Sequence, residues 1–97
     1  MEFKPHVPFE ARWTLKNTGT KTWVPGELVV KYISGVEMYA IKDYESLKTE
    51  TPPDSLVLII ADMISPKKSG QHITTWGLVE SRTKLVLCLF NVKITVK

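Results

Sequence analysis

The chain has few of the residues that build disulfides and metal sites. Its 97 residues include one cysteine, Cys88, and two histidines, His6 and His72. A lone cysteine excludes an internal disulfide, and these three residues lie too far apart to match the spacing of a metal-ligand motif. We therefore expect neither a structural metal nor a bound cofactor, and the cysteine content does not indicate a compartment.

Long apolar runs and basic clusters are also lacking. No apolar run approaches the ~18 residues of a membrane span, and the opening residues MEFKP carry charge and proline where a signal peptide is apolar. The formal net charge is +3, but the lysines are scattered, and Lys67-Lys68 is the one adjacent basic pair. Nucleic-acid binding favours a basic stripe interleaved with exposed aromatics. We expect no nucleic-acid partner and no membrane insertion.

Catalytic motifs are missing as well. The sequence has no glycine-rich phosphate loop, and Asp43, Glu45 and Glu50 lie in an irregular polar segment. Nucleophilic catalysis would need a base beside Cys88. His72 is the candidate if it reaches Cys88 across neighbouring strands, but both fall on the predicted core-facing side. We therefore expect a protein that is not an enzyme and has no catalytic residues.

The chain does have strong β-strand patterning. In residues 9–16 every second residue, beginning with Phe9, is apolar, which predicts a strand with one buried and one exposed face. Turn residues separate the runs, and no segment has a helical period. These features predict an antiparallel sandwich or barrel. Further strands are predicted over 28–33, 56–64, 72–79 and 85–96, with a short edge strand over 38–41.

Several segments resemble a known family. Residues 13–26, WTLKNTGTKTWVPG, resemble the opening signature of the four-tryptophan (FW) domain, the central Ig-like domain of the autophagy receptor Next to BRCA-one. The resemblance covers residues 9–96. Asn91 stands at the position of the fourth tryptophan. The matching segments that follow in order are Pro52-Pro53-Asp54, SPKKSG over 65–70, Trp76-Gly77-Leu78, and the alternation of Phe90, Val92 and Ile94.

The resemblance implies both a fold and a role. The fold is all-β, an Ig-like antiparallel β-sandwich of about seven strands over residues 9–97, preceded by an N-terminal arm over 1–8. The role is protein–protein recognition within a larger, multidomain protein. The departures indicate a divergent prokaryotic member, for which a cell-surface or extracellular location is favoured. Partner chemistry that depends on a fourth tryptophan is not expected to carry over to Asn91.

Aromatic residues are the candidate core anchors. Trp13, Trp76 and Phe90 fall on the inward-facing side of their strands. Trp23 follows a turn, so packing and a ligand-facing position both remain open for it. Cys88 shares the inward side with Phe90, which favours a core cysteine over a reactive thiol.

One apolar run does not fit a sheet with a single buried face. If Val57, Ile59, Ala61 and Met63 face the core, alternation points the remaining aliphatic residues outward. Either the N-terminal arm or the 36–53 segment covers them, or they form a contact surface. The candidate interaction surface comprises Leu58, Ile60 and Ile64, with Tyr39 and Tyr44 as candidate aromatics.

Three non-enzymatic functions are compatible with this pattern. The leading hypothesis is an adaptor domain that binds a protein partner or a neighbouring domain. Under this hypothesis the partner can also be a second copy of the chain, bound as a weak homo-oligomer. A spacer that positions neighbouring domains predicts a polar surface and termini at opposite ends. Carbohydrate binding, an analogy from fold alone, predicts coplanar exposed aromatics.

Overall fold

The computed structural model describes residues 2–39 and 42–97, which form two packed β-sheets and contain no helix. One sheet has five strands in the order β1-β7-β6-β3-β4, and the other pairs β2 with β5. All neighbours are antiparallel except β1 and β7. The predicted all-β, Ig-like sandwich of about seven strands is confirmed. The strands are β1 (Glu2–Phe3), β2 (Pro8–Lys16), β3 (Leu28–Gly35), β4 (Tyr44–Ser46), β5 (Leu56–Ile64), β6 (Gly70–Glu80) and β7 (Val86–Val96).

Strands with clear alternation begin and end close to their predicted residues. β5 spans its predicted range, 56–64. β2 begins at Pro8, one residue before its predicted range of 9–16. The short strand β4 was not predicted, because its three residues show no alternation that separates them from a loop. Of the edge strand predicted over 38–41, Tyr39 forms a single bridge with Met63. Residues 40 and 41 lie outside the described residues.

The core forms where the two sheets face each other. Trp76 in the middle of β6 is 1% exposed, and its indole N–H donates to the Thr74 hydroxyl at 3.1 Å. From the opposite sheet, Trp13 packs against Trp76 and Phe90, with ring centroids 5.9 and 4.8 Å away. Because Trp13 lies at the margin of the sandwich, it is half-buried rather than fully enclosed.

A buried asparagine connects two loops at one end of the sandwich. Asn17 is fully buried, and its side-chain amide donates to the carbonyl oxygens of Lys21 at 2.8 Å and Thr51 at 2.9 Å. Its side-chain oxygen accepts from the Gly19 N–H at 3.0 Å. The Asn17 backbone N–H donates a hydrogen bond to the Ser55 carbonyl oxygen, and its carbonyl oxygen accepts one from the Asp54 N–H. A buried amide is favourable only when its donors and acceptor are all satisfied, as they are here.

The N-terminal segment, predicted as an arm over 1–8, contacts both sheets over residues 2–8. β1 pairs in parallel with the end of β7. Phe3 stacks on Phe9 at a centroid distance of 4.6 Å. The buried Ser65 hydroxyl donates to the Lys4 carbonyl oxygen at 2.7 Å and accepts from the Val7 N–H at 2.8 Å. These contacts fasten residues 2–8 to both sheets.

Burial predicts different roles in stability for the two packed tryptophans. Trp76→Ala should lower the free energy of unfolding by ~3–5 kcal/mol, the usual cost of truncating a core aromatic. Trp13→Ala should cost less, because part of its ring stays in water in the folded state. Urea unfolding of the two variants measures both values. A larger loss for Trp13→Ala than for Trp76→Ala would contradict this description of the core.

The hydrogen bonds of the buried Asn17 side chain lead to a second prediction about stability. Asn17→Asp keeps the size of the side chain but places an oxygen against the carbonyl oxygens of Lys21 and Thr51. We expect a loss of at least ~2 kcal/mol, because the variant buries an unpaired charge. Thr18→Ala, an exposed change in the same loop, is the control and should stay within about 0.5 kcal/mol of the parent in urea unfolding. Equal effects of the two substitutions would exclude a special role for Asn17.

Candidate functional site

The outer face of β5 is apolar and exposed. Val57, Ile59, Ala61 and Met63 are buried in the core, as the proposed register requires. The alternate side chains point away from it, and Leu58 and Ile60 are 50% and 40% exposed. We call the exposed Leu56, Leu58 and Ile60 the β5 face. Their partners across the ladder on β2 are Lys16, Thr14 and Arg12.

In the described part of the chain, the N-terminal segment packs elsewhere and the 36–53 segment borders the β5 face but leaves Leu58 and Ile60 exposed. Phe3 of the N-terminal segment stacks on Phe9, whose partner across the ladder is the buried Met63. From the 36–53 segment, β4 runs beside β5 and leaves a cleft of about 90 Å³ lined partly by Leu58 and Ile60. Ile64 differs from its neighbours on β5 because it is half-buried, opposite Pro8.

The two candidate tyrosines do not line the cleft beside the β5 face, although the Tyr39 backbone bridges Met63 of the same strand. Tyr39 is half-buried and packs edge-on against Tyr32, with centroids 5.7 Å apart. The pKa of the Tyr39 phenol is raised, mainly because the phenol is partly buried and to a smaller extent because the carboxylates of Glu37 and Asp43 lie nearby. Tyr44 is exposed on β4 of the other sheet, with the Lys42 ammonium 5.3 Å from its ring centroid. The structure therefore does not join either tyrosine to the β5 face.

A second concave region lies between the end of β2 and the start of β7, and we call it the β2–β7 groove. It encloses about 840 Å³ and is lined by the half-buried aromatics Trp23 and Phe90, together with Leu15. Trp23 is held there by two backbone hydrogen bonds of 2.9 Å to Thr51. The Trp23 ring packs against the core and also lines the groove, and a ligand-facing role for it stays a prediction.

Cys88 also lines this groove, and it is not the ladder partner of His72, the residue considered as a possible base for it. Cys88 pairs across the ladder with Leu78, whereas His72 is at the opposite end of β6, with its Nε2 2.8 Å from the Lys68 carbonyl oxygen. Burial raises the pKa of the Cys88 thiol, and a hydrogen bond with the Leu78 backbone offsets this in part. A raised pKa lowers the fraction of reactive thiolate.

Within residues 2–39 and 42–97, no group of three or more His, Cys, Asp or Glu side chains is arranged to hold a metal ion. The same residues include no helix long and apolar enough to cross a membrane.

A further apolar surface was not predicted from the sequence. Leu85, Val86, Leu87 and Leu89 are all exposed, and Leu89 is 61% exposed. The signal was present, because leucines 85, 87 and 89 alternate with the inward-facing Cys88 and Phe90. A continuous apolar run does not show by itself which of its residues lie at a free edge, so the sequence alone does not predict this surface.

Comparison with known proteins agrees with this geometry. The family model described as the Ig-like domain from next to BRCA1 gene matches residues 1–96. Protein ILRUN from Danio rerio is 28% identical over 79 residues, covering 76% of this chain and 25% of that protein. The chain thus spans about a quarter of the length of that relative. Because the family model matches nearly the whole chain, the chain belongs to the family of Ig-like domains from the next to BRCA1 gene.

Proposed function

We propose that this chain is a non-catalytic protein–protein interaction domain of a larger protein, and that the β5 face is its contact surface. The observation that carries the proposal is the two-sided character of β5. One side fills the core, while the other holds Leu56, Leu58 and Ile60 in contact with water. Exposed apolar patches of this kind are typical of interaction sites.

The size of the β5 face indicates a weak or assisted contact. Three exposed aliphatic side chains present ~200–300 Å² of apolar area, near the scale at which patches become functional. At ~25 cal/mol per Å², burying that area contributes several kcal/mol, and much of this is lost to the entropy of association. The β5 face therefore suits weak self-association or docking against a neighbouring domain, and not a tight obligate dimer.

Membership of a larger protein is supported by the relative from Danio rerio, which is about four times the length of the matched region. The matched relative is a vertebrate protein, so it does not support the predicted prokaryotic origin, which stays a prediction. The cell-surface or extracellular location depended on that origin and also stays a prediction.

The two alternative functions find less support in the geometry. A spacer was expected to have termini at opposite ends, but Glu2 and Lys97 form a salt bridge of 2.6 Å. A carbohydrate platform would need several coplanar exposed aromatics. Across the described residues, Tyr44 is the one exposed aromatic side chain, and the other aromatics are half-buried or buried.

The proposal predicts that a charge on the β5 face reduces association without unfolding the domain. Ile60→Lys places an ammonium on an exposed position. We expect the parent chain to self-associate weakly at about 0.1–1 mM, and Ile60→Lys to sediment as a monomer over the same range. Gln71→Lys adds the same charge at an exposed position on the other sheet and is the matched control.

Two outcomes would contradict this prediction. If Ile60→Lys unfolds the domain, the residue is part of the core and the β5 register is wrong. If the parent and both variants sediment as identical monomers, self-association through the β5 face is excluded. The β5 face must then contact a different protein or domain.

A further inference from the structure

We propose that the open edge of β7 accepts an extended, apolar peptide segment of a partner protein as an added strand, with alternate side chains of that peptide filling the β2–β7 groove. This site lies away from the β5 face. The two proposals therefore use different residues and can fail independently.

The edge of β7 is paired along a small part of its length. β7 follows β6 on one side over residues 86–96. On its other side, the pairing seen within the described chain involves Glu2 and Phe3, which reach Thr95 and Val96. β1 therefore shows that this edge already takes a strand, in parallel orientation, and the pairing stops before the groove.

Two hydrogen bonds show which backbone groups face the open edge. The Lys97 N–H donates to the Phe3 carbonyl oxygen at 3.0 Å. Further along the same edge, the Trp13 indole N–H donates to the Asn91 carbonyl oxygen at 3.3 Å. Backbone groups alternate between the two sides of a strand, so Leu89 presents its N–H and carbonyl oxygen to this edge as well. Leu89 lies just beyond Trp13, at the groove.

The start of this edge lacks the side chains that usually protect an edge strand against pairing, whereas Lys93 lies further along it. Exposed edges are normally blunted by charged residues or proline. Residues 85–90, LVLCLF, contain neither. A bulge opposite Leu78 and Val79 interrupts the ladder at Leu87, so Leu89 is the first residue of the regular stretch whose backbone groups face the free edge. Such an uncharged run with high β-propensity is a template for an added strand.

The groove supplies the second half of the site. A strand beside Leu89 would direct every second side chain inward, toward Leu15, Trp23 and Phe90, and the others outward, beside the exposed Leu89. The groove volume of about 840 Å³ lies within the range of ligand pockets, roughly 300–1,000 Å³. A groove of this volume beside the edge can take side chains of an inserted strand, which a flat edge-to-edge contact with a second copy of the chain would leave unfilled.

The charges around the groove define the flanks of the peptide. Lys16, Lys21 and Arg82 line it, against two carboxylates, Glu27 and Glu80. This excess of positive charge favours acidic residues on either side of the apolar core of the peptide. The ligand class is thus an extended segment with alternating aliphatic residues and acidic flanks.

A designed probe tests the site directly. The nine-residue peptide Glu-Glu-Val-Thr-Val-Thr-Val-Glu-Glu is titrated into the 97-residue chain, and backbone amide shifts and hydrogen exchange are followed by NMR. We expect the Leu89 amide to shift and its exchange to slow. Two further peptides carry N-methyl groups on the valines or on the threonines. Because alternate amides face the edge, one peptide should bind at least about tenfold more weakly and the other should not.

Two matched variants locate the binding site. Leu89→Glu should weaken binding of the probe at least about tenfold, whereas Leu58→Glu, the same change on the β5 face, should leave it unchanged. The methylated peptides test pairing on the parent chain, so the result stands even if Leu89→Glu folds poorly. The proposal is overturned if the probe leaves Leu89 unaffected, or if the two methylated peptides bind equally. It is also overturned if the free chain is a dimer that Leu89→Glu dissociates, because a second copy then occupies the edge.

Discussion

Two strands have to cover the inner face of a five-stranded sheet, and this mismatch determines where the molecule is closed and where it stays open. β2 and β5 cover the centre, so Trp76 is enclosed. They do not extend over the start of β7, so Phe90 and Cys88 at that margin are half-buried. Trp13 closes part of the gap, since its ring packs on Phe90 and its indole N–H reaches the Asn91 carbonyl oxygen. The β2–β7 groove is the part that remains.

The bond between Trp13 and Asn91 does not depend on the side chain at position 91, where the resemblance led us to expect a fourth tryptophan. The acceptor is a backbone carbonyl oxygen, which any residue at position 91 supplies. The Asn91 side chain itself is exposed. The contact across the margin therefore does not depend on the side chain at this position, whereas a partner that contacts a tryptophan there would not find it in this chain.

The two proposed contact surfaces differ in their chemistry. The β5 face is defined by exposed aliphatic side chains, and one edge of the β5 backbone is paired with β2 along its full length. Recognition there depends on apolar area and shape. The β7 edge offers main-chain donors and acceptors beside an apolar groove, so recognition there combines strand pairing with side-chain pockets. The first surface suits a folded neighbour and the second an extended segment.

The sequence by itself determined the fold class, most strand boundaries and the outward direction of Leu58 and Ile60, because strand alternation is a local property that residue order displays directly. The resemblance of residues 13–26 identified the family before any contact was known. Tertiary structure alone decided which strand edges remain unpaired, that Tyr39 packs inward against Tyr32, and that β1 joins β7. These features depend on which distant segments meet, as when Asn17 bonds Thr51. Alternation shows which side of a strand faces the core, but it does not show which distant segment lies beside that strand, so these pairings appear only in the folded structure.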